Sequence, residues 1–110
     1  MIGAAAEDVT RRKYLQSGFE LERANYRVPG LGEIDLIMRA GQKLYFIECK
    51  SGQTSADAAA LLSNHQRDRM HQTALHFLEA TGRDMNCDMR FDAAFVDRQG
   101  SVSVIPGALN

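Results

Sequence analysis

Asp35, Glu48 and Lys50 are the residues of this 110-residue chain whose types and spacing suit chemistry. They belong to two apolar segments, residues 33–39 and 43–50, separated by Ala40, Gly41 and Gln42. A two-residue hairpin loop at Gly41-Gln42, or a four-residue loop over 40–43, pairs residues whose numbers sum to 83. Asp35 then faces Glu48 and Glu33 faces Lys50, and residues opposed across an antiparallel pair share one face of the sheet. A three-residue loop without a bulge would shift that register and separate them. Two carboxylates ~5 Å apart at an effective dielectric of ~20 repel by ~3 kcal/mol, which is large against a domain stability of roughly 5–15 kcal/mol. A shared proton, the Lys50 ammonium or a divalent cation would relieve that repulsion. Mg²⁺ prefers oxygen ligands and takes one or two carboxylates plus water and substrate phosphates. A bound cation of this kind (Mg²⁺ or Mn²⁺) acidifies water and neutralises charge on a phosphate under attack. Lys50 is then placed to orient that water or to stabilise developing negative charge.

The elements that must present these residues are legible from periodicity. Ala4–Ser17 reads as a helix, with Val9, Tyr14 and Leu15 apolar and Gly18 suited to the left-handed residue that ends one. Phe19–Arg27 alternates Phe19 and Leu21 against Glu20 and Glu22, as a strand does. Val28-Pro29-Gly30 is a turn signal. Glu33–Arg39 and Lys43–Lys50 are the next two strands, and the unbroken run Leu44–Ile47 predicts a central strand covered on both faces. A loop is expected over Ser51–Thr54 and a helix from about Ala56 to Thr81. Met70, Ala74, Phe77 and Leu78 mark its buried face, and Gly82 its stop. Arg90–Asp97 and Ser101–Ile105 complete an α-β-β-β-α-β-β order, an α/β fold class.

Composition bounds the rest. With 45% hydrophobic and 25% charged residues, the chain is globular rather than disordered, collagen-like or coiled-coil. Residues 1–110 are expected to form one domain. No apolar run approaches the ~20 residues of a membrane span, and the first residues do not read as a signal peptide, so a cytoplasmic protein is expected. Thirteen basic against fourteen acidic residues, net −1, argue against a protein that coats nucleic acid. They leave room for an enzyme that gathers carboxylates in a site and arginines around it. Cys49 and Cys87 form no Cys-x-x-Cys pattern and read as small buried hydrophobes. His65, His71 and His76 lie six and five apart, which is wrong for one helix face, so a histidine metal site is excluded. Tyr14, Tyr26 and Tyr45 lack the clustering of a base-stacking platform.

Asp35…Glu48-Cys49-Lys50 is similar to the signature of the PD-(D/E)XK nucleases. Around it stand Ala6-Glu7, Gly18, Asn25-Tyr26-Arg27, Gly32-Glu33-Ile34-Asp35-Leu36-Ile37, Phe46-Ile47-Glu48-Cys49-Lys50 and Arg90-Phe91-Asp92. Together they resemble the YraN-like family of uncharacterised bacterial proteins, over about Glu7 to Val96. That family is classed with Holliday-junction-resolvase-like members of the restriction-endonuclease fold. The resemblance implies an αβββαβ core, Asp35 and Glu48 as metal ligands, and Lys50 as the catalytic lysine. It further implies Glu7 as an accessory acid and the backbone carbonyl of Cys49 as a further ligand. The family commonly has a basic residue where this chain has Ser51-Gly52, and a lysine at the position of Gln66. Both departures remove positive charge that would hold a phosphate.

Plainer readings stand beside these. Asp35, Glu48 and Lys50 could end their strands in water. Glu33 is either an outer group of the metal site or a salt-bridge partner of Lys50, and Glu7 either an active-site acid or, with Asp8, a first-turn acid favoured by the helix dipole. Gln66, Arg67 and Arg69 are the candidate nucleic-acid contacts; the arginines, with His71, also suit a solvated helix face. The leading expectation is a metal-dependent nuclease that hydrolyses phosphodiester bonds in structured or damaged DNA, at junctions, nicks or ends, and a homodimer would suit it. The alternative is a non-catalytic nucleic-acid or protein interaction module that keeps a nuclease fold. A metal-dependent enzyme acting on another phosphate substrate is a third.

Overall fold

Gly41 and Gln42 close the hairpin that the site depends on. Gly41 takes φ 61° and Gln42 does not turn positive, which is the two-residue turn whose twist suits flanking strands. A computed structural model describes residues 3–51 and 63–110. Its elements are α1 (Gly3–Gln16), β1 (Glu20–Val28), β2 (Gly32–Ala40), β3 (Lys43–Ser51), α2 (Asn64–Ala80), β4 (Met89–Val96) and β5 (Val102–Ile105). This is the expected α/β order, with the αβββαβ core. The strands form one sheet in the order β1-β2-β3-β4-β5. β3 and β4 run parallel across the α2 crossover and the other neighbours antiparallel, so the sheet is mixed. β3 is central, and Leu44–Ile47 are buried on both faces as their apolar run predicts.

α1 and α2 end in the same way. Gly18 (φ 92°) and Gly82 (φ 69°) are the left-handed residues that stop them. Behind each, the next amide reaches back five residues, Phe19 to the Tyr14 carbonyl and Arg83 to that of Leu78. At the first stop the rings of Phe19 and Tyr14 also pack edge to face, 5.2 Å apart. α2 begins later than its periodicity suggests. Ser63 caps it, its side chain accepting the Gln66 amide at 3.0 Å. The predicted loop beyond Ser51 and the start of the predicted helix, residues 56–62, lie outside the described residues.

α1 and α2 pack on opposite faces of the sheet. On one, Met70, Ala74, Phe77 and Leu78 of α2 meet Ile37, Phe46 and Phe91. On the other, Tyr14 of α1 meets Leu36, Met38, Tyr45 and Ile47. Three local expectations need correction. The buried face of α1 is Ala6, Thr10 and Tyr14, while Leu15 is 45% exposed. In β1 a bulge at Glu22 inverts the alternation, so Leu21 points out. Glu22 turns in to pair with Arg39 and Arg83. Cys49 and Cys87 are only half-buried. No helix among the described residues is long and apolar enough to cross a membrane.

Candidate functional site

The β2–β3 pairing runs from Ala40↔Lys43 to Leu36↔Ile47, every pair summing to 83 as the short loop requires. It stops there. At the next position the Asp35 carboxylate, rather than a main-chain carbonyl, accepts the Cys49 amide at 2.8 Å. The strands part at this point and leave a notch. A residue's N–H and C=O leave a strand from the same edge, so the Cys49 carbonyl also faces the notch.

Why the strands part is visible in their side chains. On a regular strand, residues two apart share a face. Yet Ile34 packs on the α2 side and Leu36 on the α1 side. Tyr26 and Ala24, their partners on β1, are divided in the same way. The break falls at Asp35 and Asn25, which the register sets opposite each other, and Asn25 has φ 53°. A left-handed conformation is uncommon for a side chain other than glycine, and asparagine tolerates it best. The kink turns Asp35 out of alternation and into the notch.

Glu48 reaches the site from β3. Its Oε1 lies 3.4 Å from the Lys50 Nζ and accepts the Gln66 Nε2 at 3.2 Å. Desolvation by burial is the largest influence on its carboxyl, followed by the Asp35 charge, and together they push it up to about 7 against the pull of Lys50. Burial also raises Asp35; the Cys49 amide opposes the shift, Glu33 adds to it and Lys50 opposes it. Glu7 on α1 is raised by burial and then by Asp35, while the Asn25 amide beside it pulls the other way. The helix begins at Gly3, so Glu7 and Asp8 lie beyond the first turn, and the dipole reading of Glu7 falls away. Asp8 instead meets Arg11 and Arg12.

The fold thus brings Asp35, Glu48, Lys50 and Glu7 to one notch. Glu33 is exposed at its rim, and Lys50 pairs with Glu48 rather than with Glu33, because the ladder that would have opposed Glu33 to Lys50 has already opened. Gln66 points at Glu48 and Arg69 lines the cleft beside it, whereas Arg67 turns away toward Asp68, 3.8 Å distant. The histidines disperse: His71 and His76 bond the Leu109 carbonyl and the Tyr26 hydroxyl, each at 2.6 Å. Tyr14, Tyr26 and Tyr45 are buried.

Among the described residues no three His, Cys, Asp or Glu side chains form a metal cage. The donors present nevertheless fit a hard divalent cation, which needs only one or two carboxylates. Asp35 and Glu48 are both half-buried oxygen donors whose affinity for protons is raised by burial, with the Glu33 charge adding to it at Asp35 and the Asp35 charge at Glu48, and a cation would relieve these effects.

The model of an uncharacterised protein family, UPF0102, matches residues 6–96, which include every side chain of this notch. The chain belongs to that family. It is the YraN-like family that the residues above resemble. A UPF0102 protein of Cereibacter sphaeroides strain ATCC 17029 is 41% identical over 106 residues, 96% of this chain and 90% of the relative. One of Ruegeria pomeroyi is 37% identical over 108 residues, 98% and 87% of the two chains. One of Roseobacter denitrificans is 33% identical over 108 residues, 98% and 83%.

Sequence reading passed over Asn25 as a member of the site and gave Gln66 only as a nucleic-acid contact, whereas its side chain donates to Glu48. Asn25 sets the kink, and the signal was an asparagine in mid-strand, a residue that strands disfavour. Gln66 orients Glu48, and the signal was Ser63-x-x-Gln66, a helix-capping pattern that fixes where α2 starts. The Arg90-Phe91-Asp92 motif finds a structural explanation. Asp92 is fully buried, accepting two bonds from Arg90 at 2.7 and 2.8 Å, one from Tyr14 at 2.8 Å and one from the Gly107 amide at 2.9 Å. It ties α1 and the C-terminal turn to β4.

Proposed function

We infer that this protein is a metal-dependent phosphodiesterase acting on nucleic acid, with structured or broken DNA as its expected substrate. The observation that carries the reading is the shared notch, in which two half-buried carboxylates of raised proton affinity lie beside one ammonium. Asp35 and Glu48 would hold Mg²⁺ or Mn²⁺, with the Cys49 carbonyl as a further oxygen donor. Once bound, the cation supplies charge neutralisation at the phosphate and a more acidic water. Lys50 stabilises the negative charge that builds on the phosphate oxygens. Glu7, whose affinity for protons is raised by burial and the Asp35 charge, would serve as a proton acceptor for the incoming water. Gln66 holds the Glu48 carboxylate in position. A bacterial enzyme of this kind would work in the cytoplasm, where the chromosome lies.

A second reading is favoured by a specific observation. Gln66, which donates to Glu48, stands where the YraN-like pattern has a lysine, and the net charge is −1. An interaction module that keeps the fold without catalysis would tolerate both. Asp35→Asn separates the readings, since the amide oxygen still accepts the Cys49 N–H and the fold survives. Calorimetry should show Mn²⁺ binding to the wild type that the variant loses, together with at least ~100-fold loss of cleavage of branched, nicked or single-stranded DNA. Metal binding without cleavage of any of these would favour the interaction module. Absence of metal binding would remove the nuclease reading.

A further inference from the structure

The geometry points to a separate phosphate subsite beside the carboxylates, formed by Arg69 of α2 and Arg27 of β1, that takes a neighbouring phosphodiester of a nucleic-acid strand. It rests on the function proposed above and adds to it a binding element and a direction for the strand. Two hollows meet beside the notch. One, of about 340 Å³, is walled by Glu48, Gln66 and Arg69, and the other, of about 250 Å³, by Arg27, Gly30 and Arg69. Gly32, Glu33 and Arg69 line both, so a single groove leads from Glu48 to the β1–β2 turn. Charge changes along it, from the carboxylates of Glu48 and Glu33 to the guanidinium groups of Arg69 and Arg27.

The arginine end is built rather than incidental. Arg69 Nε donates to the Leu31 carbonyl at 3.1 Å, which fixes the guanidinium over the turn. Gly32 lets that turn lie against α2, because a Cβ there would stand 2.5 Å from the Thr73 Oγ1. Among the described residues neither Arg27 nor Arg69 pairs with a carboxylate, although Arg27 is opposed to Glu33 across β1 and β2. An anchored guanidinium loses little freedom when it binds, and its fork matches two phosphate oxygens. A nucleic-acid strand suits both ends of the groove, with one phosphate at the carboxylates through a cation and the next against the arginines. An acidic protein segment suits only the second.

The test is binding of a labelled nicked DNA duplex by fluorescence anisotropy, in EDTA, from about 50 to about 200 mM salt. Arg27→Gln and Arg69→Gln should each lower the slope of log affinity against log salt by about one. Arg69→Lys should keep the slope, and Arg98→Gln, at the exposed β4–β5 turn, should leave it unchanged. Slopes for Arg27→Gln and Arg69→Gln equal to that of the wild type would overturn the subsite, while wild-type cleavage with Mn²⁺ would still uphold the nuclease. Lowered slopes without any cleavage would uphold the subsite and overturn the nuclease. Failure of the wild type to bind the duplex would overturn the subsite, while the nuclease would stand or fall by cleavage with Mn²⁺.

Discussion

Glu48 is held in tension between burial, which favours its neutral form, and Lys50, which favours the charged one. The balance lies with burial and the Asp35 charge, and it carries a pH signature. Glu48 is raised from 4.5 to about 7 on folding, so between these values the folded protein keeps a proton that the unfolded chain has released. Stability of the metal-free protein contributed by this group is therefore full below about pH 4.5 and is lost as pH rises through 7, by on the order of 3 kcal/mol at most. Asp35, also raised, acts in the same direction. Urea midpoints measured with EDTA should fall between pH 5 and 7.5 for the wild type and less steeply for Glu48→Gln, which keeps an oxygen for Gln66. A Glu48→Gln profile parallel to the wild type would contradict the buried carboxylate.

At the scale of elements, what matters is how closely the β1–β2 turn is pressed on α2. Gly32 leaves no room for a side chain, the obstacle being the Thr73 Oγ1, which itself donates to the Arg69 carbonyl at 2.7 Å. Gly32→Ala should destabilise the fold by about 1–3 kcal/mol, the usual result of overpacking. Thr73→Ala removes the obstructing atom, so the double variant should be more stable than the sum of the two single changes predicts. Denaturant midpoints of the four proteins complete the cycle, and strict additivity would show that the turn and the helix do not press on each other. The same contact places Arg69 over Leu31, so the packing of one helix on one turn serves the groove as well as the core.

For the molecule as a whole, the notch opens between two central strands, with α1 supplying Glu7 from one face and α2 supplying Gln66 from the other. A ligand that bridges Asp35 and Glu48 would therefore tie together parts of the chain that unfold together. Mn²⁺ at about a hundred times its dissociation constant should stabilise the protein by about 2.7 kcal/mol, read as a rise in the thermal midpoint. Asp35→Asn should abolish that rise. An equal rise in the variant would mean that the cation acts elsewhere.

Most of the scaffold was legible in the chain because it depends on local rules. A period of two or 3.6, a glycine at each stop and a two-residue turn at Gly41-Gln42 specify seven elements and the β2–β3 register. That register carries Asp35 and Glu48 to the end of the ladder, where the kink at Asn25 turns Asp35 into the notch. The bulge at Glu22 was not legible, and Asn25 marked a weak point in its strand without showing which way the chain turns there, because an alternating pattern cannot show how it will be broken by partners distant in sequence. Nor was the convergence of Gln66 and Arg69 on the notch, since a helix's period gives its buried face but not the strand it will lie across. Side chains whose place follows from their neighbours in the chain could be assigned from the letters. Those whose place follows from the docking of one element on another had to await the packed molecule.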